Sequence, residues 1–258
     1  MSARPLVIGN WKMNLDHVEA VHLVTQLGVL LRSAPAEHSD VVVAPPFTDL
    51  RSVASVLAAE RVPIGLCAQH VNPHAKGAHT GEVSLGMLAR LGVEWVIVGH
   101  SERRAHYGMT DEVVAATLAA TLARGLRAVL CVGEDEGVRA ANRHREHVRD
   151  QLASALAALD AGALERLTVA YEPIWAIGTG VVATTAQAAE MTAYLRAALA
   201  PLGAGSSRVL YGGSVTAENA GELVTAGVDG FLVGGASLGA DSFTAIVRAA
   251  NDCYAGRR

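Results

Sequence analysis

Lys12, His100 and Glu172 lie far apart in the chain, yet each follows a short apolar, β-branched run and can handle a proton or its charge. A lone carboxylate after a strand is ordinarily a salt-bridge partner. Glu172, however, leads directly into Pro173-Ile174-Trp175, a stiffly entered apolar segment suited to closing over a site. Water exclusion strengthens a carboxylate as a base, and general-base catalysis is worth roughly 10²–10⁴ in rate, about 3–5 kcal/mol. His100 precedes Ser101-Glu102-Arg103, which reads as a first helical turn. A helix N-terminus aimed at an imidazole disfavours its protonation, and a neutral ring can donate a hydrogen bond to a developing oxyanion. A purely structural imidazole is the competing reading. Lys12 offers fixed positive charge for the same oxygen, an electrostatic contribution of about 10²–10³ per donor.

Glycines mark a second kind of chemistry. Gly178-x-Gly180, Gly212-Gly213-Ser214 and Gly234-Gly235 each follow a strand-like run. Any one of them alone is a tight turn. Together at adjacent strand ends they let backbone N–H groups approach an anion closely, and a phosphate is the anion they suit. Other polar residues carry less. His70, His74 and His79 share the loop 69–80, but their spacing is irregular and no carboxylate or cysteine completes a metal set. His144 and His147 lie among Arg143, Arg145 and Arg149 and read as a solvated helix face. Trp11 and Trp175 read as packing for the neighbouring loops.

These groups meet only if the elements bring them together. Eight strand-like runs recur, at 6–10, 41–44, 64–68, 95–98, 128–132, 168–171, 208–211 and 230–233, at a mean spacing of about 32 residues, the size of one βα unit. Between them lie Ala/Leu-rich stretches with helical periodicity. One is 113–122, with Thr110 as N-cap and Arg124-Gly125 as its end; another is 146–159, ending near Gly162. Thr216 is a further N-cap candidate. Strict alternation predicts an α/β fold, a closed eight-stranded parallel barrel with outer helices, as a single domain over 1–258. An open doubly wound sheet is the alternative, but no Gly-x-Gly-x-x-Gly follows the first strand. In a barrel the loops after the strands carry the site, which places Lys12, His100 and Glu172 at one mouth.

Composition agrees with a packed enzyme-sized core. At 51% hydrophobic and 18% charged the chain is too apolar for disorder, and a net charge of −4 predicts no nucleic-acid or anionic-membrane partner. No apolar run approaches the roughly 20 residues of a membrane span, and the first residues do not read as a signal peptide. Cys67, Cys131 and Cys253 are odd in number and lack CxxC spacing, so no disulfide framework is expected; Cys67 and Cys131, in strand-like runs, read as buried thiols, and a cytoplasmic protein is expected.

On these residues the chain resembles the triosephosphate isomerase family, from the first strand to the last helix. Asn10-Trp11-Lys12-Met13-Asn14 is similar to that family's first-strand motif, Gly99–Arg104 to its histidine motif and Tyr171–Gly180 to its base-plus-lid segment. Cys131-Val132-Gly133-Glu134, Tyr211-Gly212-Gly213-Ser214-Val215 and Val233-Gly234-Gly235-Ala236-Ser237 match as well, in order and spacing. The resemblance implies a (β/α)8 TIM barrel that interconverts dihydroxyacetone phosphate and D-glyceraldehyde 3-phosphate with no cofactor and no metal. It implies Glu172 as the base, His100 moving protons at the two oxygens, and Lys12 with Asn10 stabilising the enediolate. Glu102 would orient Lys12, and Ser101 would hold Glu172 before the lid closes. Gly178, Ser214, Gly234 and Gly235 would bind the phosphate, and Tyr211 would latch the lid. The loop 69–80 resembles the family's dimer loop, with Thr80 reaching the partner's site in a homodimer.

Three positions depart from the family pattern. Val181 stands at the lid's trailing hinge where lysine is frequent, and its β-branch narrows backbone freedom. Met109 replaces a common glutamate and would leave Arg103 or a neighbour short of a partner. His79 replaces an aromatic in the dimer loop. Three other functions are compatible with parts of the pattern: an isomerase of a four-carbon ketose phosphate, a non-catalytic phosphate-binding barrel, and metal-dependent aldol chemistry. The last lacks both a ligand cluster and a separate Schiff-base lysine.

Overall fold

Parallel strands buried on both faces need near-continuous apolar runs, and the strand interiors of this chain supply them. In the structure, a computed structural model describing residues 4–177 and 183–256, they form β1 (Leu6–Asn10), β2 (Asp40–Ala44), β3 (Gly65–Ala68), β4 (Trp95–Val98), β5 (Arg127–Val132), β6 (Leu167–Tyr171), β7 (Arg208–Tyr211) and β8 (Gly230–Val233). Every neighbouring pair is parallel, in chain order, and β1 closes on β8 with Leu6 opposite Gly230. The expected closed barrel is therefore the observed one, and the open sheet is not.

Alternation along each strand divides the core in two. Leu6, Ile8, Val42, Cys67, Trp95, Ile97, Val129, Cys131, Ala170, Leu210 and Leu232 form one buried cluster, the filled interior of the barrel. Their neighbours, such as Val7, Val43, Val96, Leu130 and Val169, pack outward into the larger cluster with the helices. Because side chains repeat every second residue, the inward set continues to Asn10 at the end of β1 and, just past the other strands, to Gln69, Gly99, Gly133, Glu172, Gly212 and Gly234. Period two alone thus carries polar groups and glycines to the mouth.

The helices start where the sequence offers caps. Asp16 accepts from the N–H groups of Val18 and Glu19, with Glu19 reaching back to Asp16, at the head of His17–Ser33. Thr110 heads Asp111–Ala123 as expected, and Thr216 precedes Ala217–Thr225, with its N–H donating to Asn219 at 2.9 Å. One boundary differs. The helix expected to run to 159 is His144–Leu156, and Gly162 lies inside a separate short helix, Ala161–Leu164, started by Asp160. The Asp160 cap, not the glycine, sets that boundary.

Candidate active site

The mouth of the barrel holds a cavity of about 450 Å³ lined by Asn10, Lys12, His100 and Glu172 on one side and by residues 212–216 and 232–236 on the other. Glu172 is 2% exposed, His100 7% and Asn10 5%, so the site is built from groups largely withdrawn from water. Glu172 reaches it because Ala170 faces inward, and the next inward position falls just beyond the strand. Its own N–H still donates to Val132 O at 2.8 Å. Gly212 gives the side chain room, since a Cβ there would stand 3.1 Å from Glu172 Cγ.

Ser101 and His100 hold the carboxylate from the helix Ser101–Tyr107. The Ser101 backbone N–H donates to Glu172 Oε2 at 2.9 Å, which puts the carboxylate on the positive end of that helix. His100 is the N-cap: its Nδ1 accepts from the Glu102 N–H at 3.2 Å. A ring nitrogen that accepts carries no proton, so the imidazole is neutral with its proton on Nε2. That Nε2 lies 3.0 Å from Glu172 Oε1, out of hydrogen-bond alignment, and Oε1 has no hydrogen-bond partner among the described residues.

Lys12 is held in a backbone conformation rare for a residue with a side chain, at φ +53°. Such strain persists only where surrounding contacts over-determine it. Here the Lys12 N–H donates to Asn10 Oδ1 at 3.1 Å, and Gln69 Nε2 donates to both Lys12 O and Ala44 O at 2.8 Å. The ammonium is then 2.6 Å from Glu102 Oε1. Burial pushes the Glu102 carboxyl up, but the hydrogen bond and charge of Lys12 hold it below its ordinary value. Beside Glu172, burial and then the charge of Glu172 push the Cys131 thiol well up, which keeps it protonated.

Across the cavity, β8 runs into the 3₁₀ turn Gly235–Leu238, and Ser214 is exposed on the rim after β7. Glycine turns after the last two strands, one opening a short helix, are the usual phosphate-binding arrangement of such barrels. Tyr211 lies beneath them, 1% exposed, its hydroxyl without a hydrogen-bond partner among the described residues. Burial lifts that phenol to about 12.

Comparison with known proteins agrees with this geometry. The family model described as triosephosphate isomerase matches residues 5–250. The chain belongs to the triosephosphate isomerase family. It is 50% identical over 249 residues to the triosephosphate isomerase of Saccharopolyspora erythraea, covering 95% of each chain. Against that of Corynebacterium glutamicum it is 46% identical over 248 residues, covering 94% of this chain and 96% of the relative. Against that of Mycobacterium tuberculosis it is 47% identical over 251 residues, covering 95% and 96%.

Of the residues that the triosephosphate isomerase resemblance singles out, Asn10, Lys12, His100, Glu172, Ser214, Gly234 and Gly235 line the one cavity. Ser101 and Glu102 adjoin it through Glu172 and Lys12. Gly178 and Val181 lie outside the described residues. Thr80 is exposed in the loop after β3 and does not line this cavity. In that loop the His74 and His79 rings stack at 4.4 Å, whereas His70 is buried and 3.7 Å from Glu82. Burial, then the Arg103 charge, lowers His70 to about 4 against the opposing pull of Glu82. No group of three or more potential metal ligands occurs among the described residues. Met109 is buried, and Arg103 Nε is without a hydrogen-bond partner among them. Nor does any described helix have the length and apolarity to cross a membrane.

Two readings need correction or addition. His144 is not on a wet face: it is 6% exposed and 3.4 Å from Glu190. Sequence reasoning also missed Gln69, Glu134 and Gln151. Glu134, fully buried, accepts from Tyr171 OH at 2.9 Å and Trp175 Nε1 at 3.0 Å, tying the segment after β6 to the end of β5. Gln69 was findable, because it continues the inward parity of Cys67.

Proposed function

We propose that this chain interconverts dihydroxyacetone phosphate and D-glyceraldehyde 3-phosphate, with Glu172 taking a proton from one carbon and returning it to its neighbour. The observation that carries this is one buried carboxylate with an unpartnered oxygen, 3.0 Å from a neutral imidazole, on a cavity that Lys12 also lines. His100 Nε2–H serves the two substrate oxygens in turn, donating to whichever carries the developing charge and relaying its proton. Lys12 and Asn10 stabilise that charge in the enediolate, with Glu102 orienting the ammonium. The phosphate sits on the backbone N–H groups of Ser214, Gly234 and Gly235, joined by Gly178 when the lid closes, and Tyr211 latches the lid. Ser101 parks the carboxylate until then.

The same reading makes the protein a homodimer. Met13 (92% exposed) and Tyr107 border a second cavity of about 330 Å³ beside Lys12, with Phe47, Gln69 and Arg103. Exposed apolar side chains around such a cleft suit a partner's loop 69–80, with Thr80 at its tip. A cytoplasmic location fits three free cysteines, two of them buried. Glu172→Asp, which withdraws the carboxylate by one methylene, should lower kcat by about 10²-fold or more with KM within a few-fold. Steady-state kinetics in both directions, with a four-carbon ketose phosphate in parallel, is the test. An unchanged kcat would remove Glu172 as the base, and faster turnover of the longer substrate would reassign the reaction.

A further inference from the structure

Gln151 is 8% exposed and sits in the middle of the helix His144–Leu156, on the face that also buries Val148 and Ala155. An amide on a buried face needs a reason, since a Leu or Met there would pack without a polar atom to satisfy. Its Oε1 accepts from the Gly133 N–H at 2.9 Å, the first residue beyond β5. Its Nε2, which is therefore the donor, is 3.2 Å from His147 Nε2 one turn earlier. This pair of contacts fixes the amide in one orientation and fixes His147 Nε2 as an acceptor.

Gly133 is where that bond has leverage. A Cβ built on it would overlap the carbonyl oxygen of Glu172, so the two backbones are in direct contact. On either side the chain is laced to the base: Glu172 N–H donates to Val132 O at 2.8 Å, and Ile174 N–H donates to Glu134 O at 3.1 Å. Residues 132–134 thus form a template against which residues 172–174 are laid. The template's middle residue has its N–H turned away from the base, toward Gln151. Without that acceptor a buried N–H loses its partner, and the strand end is free to turn.

We propose that Gln151 is a positioning residue for the base, setting the backbone of Glu172 through Gly133. The inference rests on the reading of Glu172 as the base and adds a residue at a distance from the substrate that acts on it. It predicts an effect on the chemical step alone, because Gln151 touches neither the glycine turns nor Lys12. A helix anchor with no such role would instead lower stability and leave turnover alone.

Three variants of the full chain test it: Gln151→Leu, Gln151→Asn and Gln151→Glu. Kinetics with triose phosphate, competitive inhibition by inorganic phosphate and thermal midpoints are measured on each. Gln151→Leu should lower kcat about 10-fold, with KM and the phosphate inhibition constant within twofold. Gln151→Glu keeps an acceptor oxygen at the same reach in either protonation state and should restore kcat to within about threefold of wild type. Should Gln151→Leu fail to fold, Gln151→Asn, which retains the amide but falls a methylene short, should show the same split. Wild-type kcat in the Leu or Asn variant overturns the proposal, as does a loss in kcat that Gln151→Glu fails to rescue. Glu172→Asp run alongside separates the two failures. If it is as active as wild type, the base assignment itself falls, whereas a slow Glu172→Asp beside fast Gln151 variants removes only the role of Gln151.

Discussion

Two buried carboxylates, Asp229 where the strands begin and Glu172 where they end, are treated in opposite ways. Where the strands begin, Asp229 is 5% exposed, accepts from the Val209 N–H at 2.8 Å and lies 2.6 Å from the Arg196 guanidinium. Asp40, at the head of β2, is 2.7 Å from Arg208 and 3.5 Å from Arg4. Where the strands end, Glu172 is more deeply buried still, yet among the described residues no ammonium or guanidinium stands within ion-pair distance of it. It has a backbone N–H, a neutral imidazole and an open oxygen. A buried carboxylate without a counter-ion costs stability, and the proposed role of Glu172 as the base gives the fold a reason to keep it. Saturation of partners, more than burial or residue type, distinguishes the structural acid from the reactive one.

Exchanging the charge at each end would test that distinction. Glu172→Gln should reduce kcat by roughly 10²–10⁴, about 3–5 kcal/mol on the barrier. The urea midpoint should stay level or rise, because an unpaired buried charge has been removed. Stopped-assay kinetics and equilibrium unfolding measure the two quantities on one preparation. Should stability fall and kcat survive, Glu172 would belong with the structural acids. Asp229→Ala should give the mirror image, leaving the Val209 N–H buried and unsatisfied at a cost of about 1–3 kcal/mol. Turnover should remain within twofold, since Asp229 lies at the far end of the barrel. A large kcat loss at unchanged stability would mean that the two ends are coupled and the contrast is false.

How much of this contrast can be read without coordinates depends on which interactions are local. The eight strands are set by short apolar runs, and their bounds agree with the structure to within a residue, because parallel strands buried on both faces leave little latitude in pattern. Lys12, His100 and Glu172 were legible as strand-end residues, and the parity of β6 explains why Glu172 in particular points inward. Partners contributed by distant elements were not legible. Nothing in the sequence pairs Gln151 with Gly133, a strand end and a helix joined by a loop, or Gln69 with the strained Lys12, which belongs to a separate βα unit. His144 looked wet because its sequence neighbours are arginines, whereas a helix turns its next residue by about 100°. The neighbour that matters is Glu190 on the helix Thr185–Leu199.

Glu102 is the case that sharpens the comparison, because it sits at the mouth and yet is paired. Its carboxylate lies 2.6 Å from Lys12 Nζ, but the side chains are 41% and 28% exposed, so water screens the attraction. Its carboxyl is held below the ordinary value of about 4.5 in the folded protein. A depressed value means that the folded state favours the ionised form. The resulting stability is fully present above the unfolded value and drains away as pH falls through the folded one. Glu102→Gln should therefore be less stable than wild type at pH 7 by under about 1 kcal/mol. That gap should begin to narrow as the medium is acidified below the unfolded value of about 4.5, and close once the pH is below the depressed folded value, where both proteins are uncharged at this position. Paired urea titrations across that range would show it. A gap independent of pH would mean that Glu102 acts through packing or its hydrogen bonds rather than its charge.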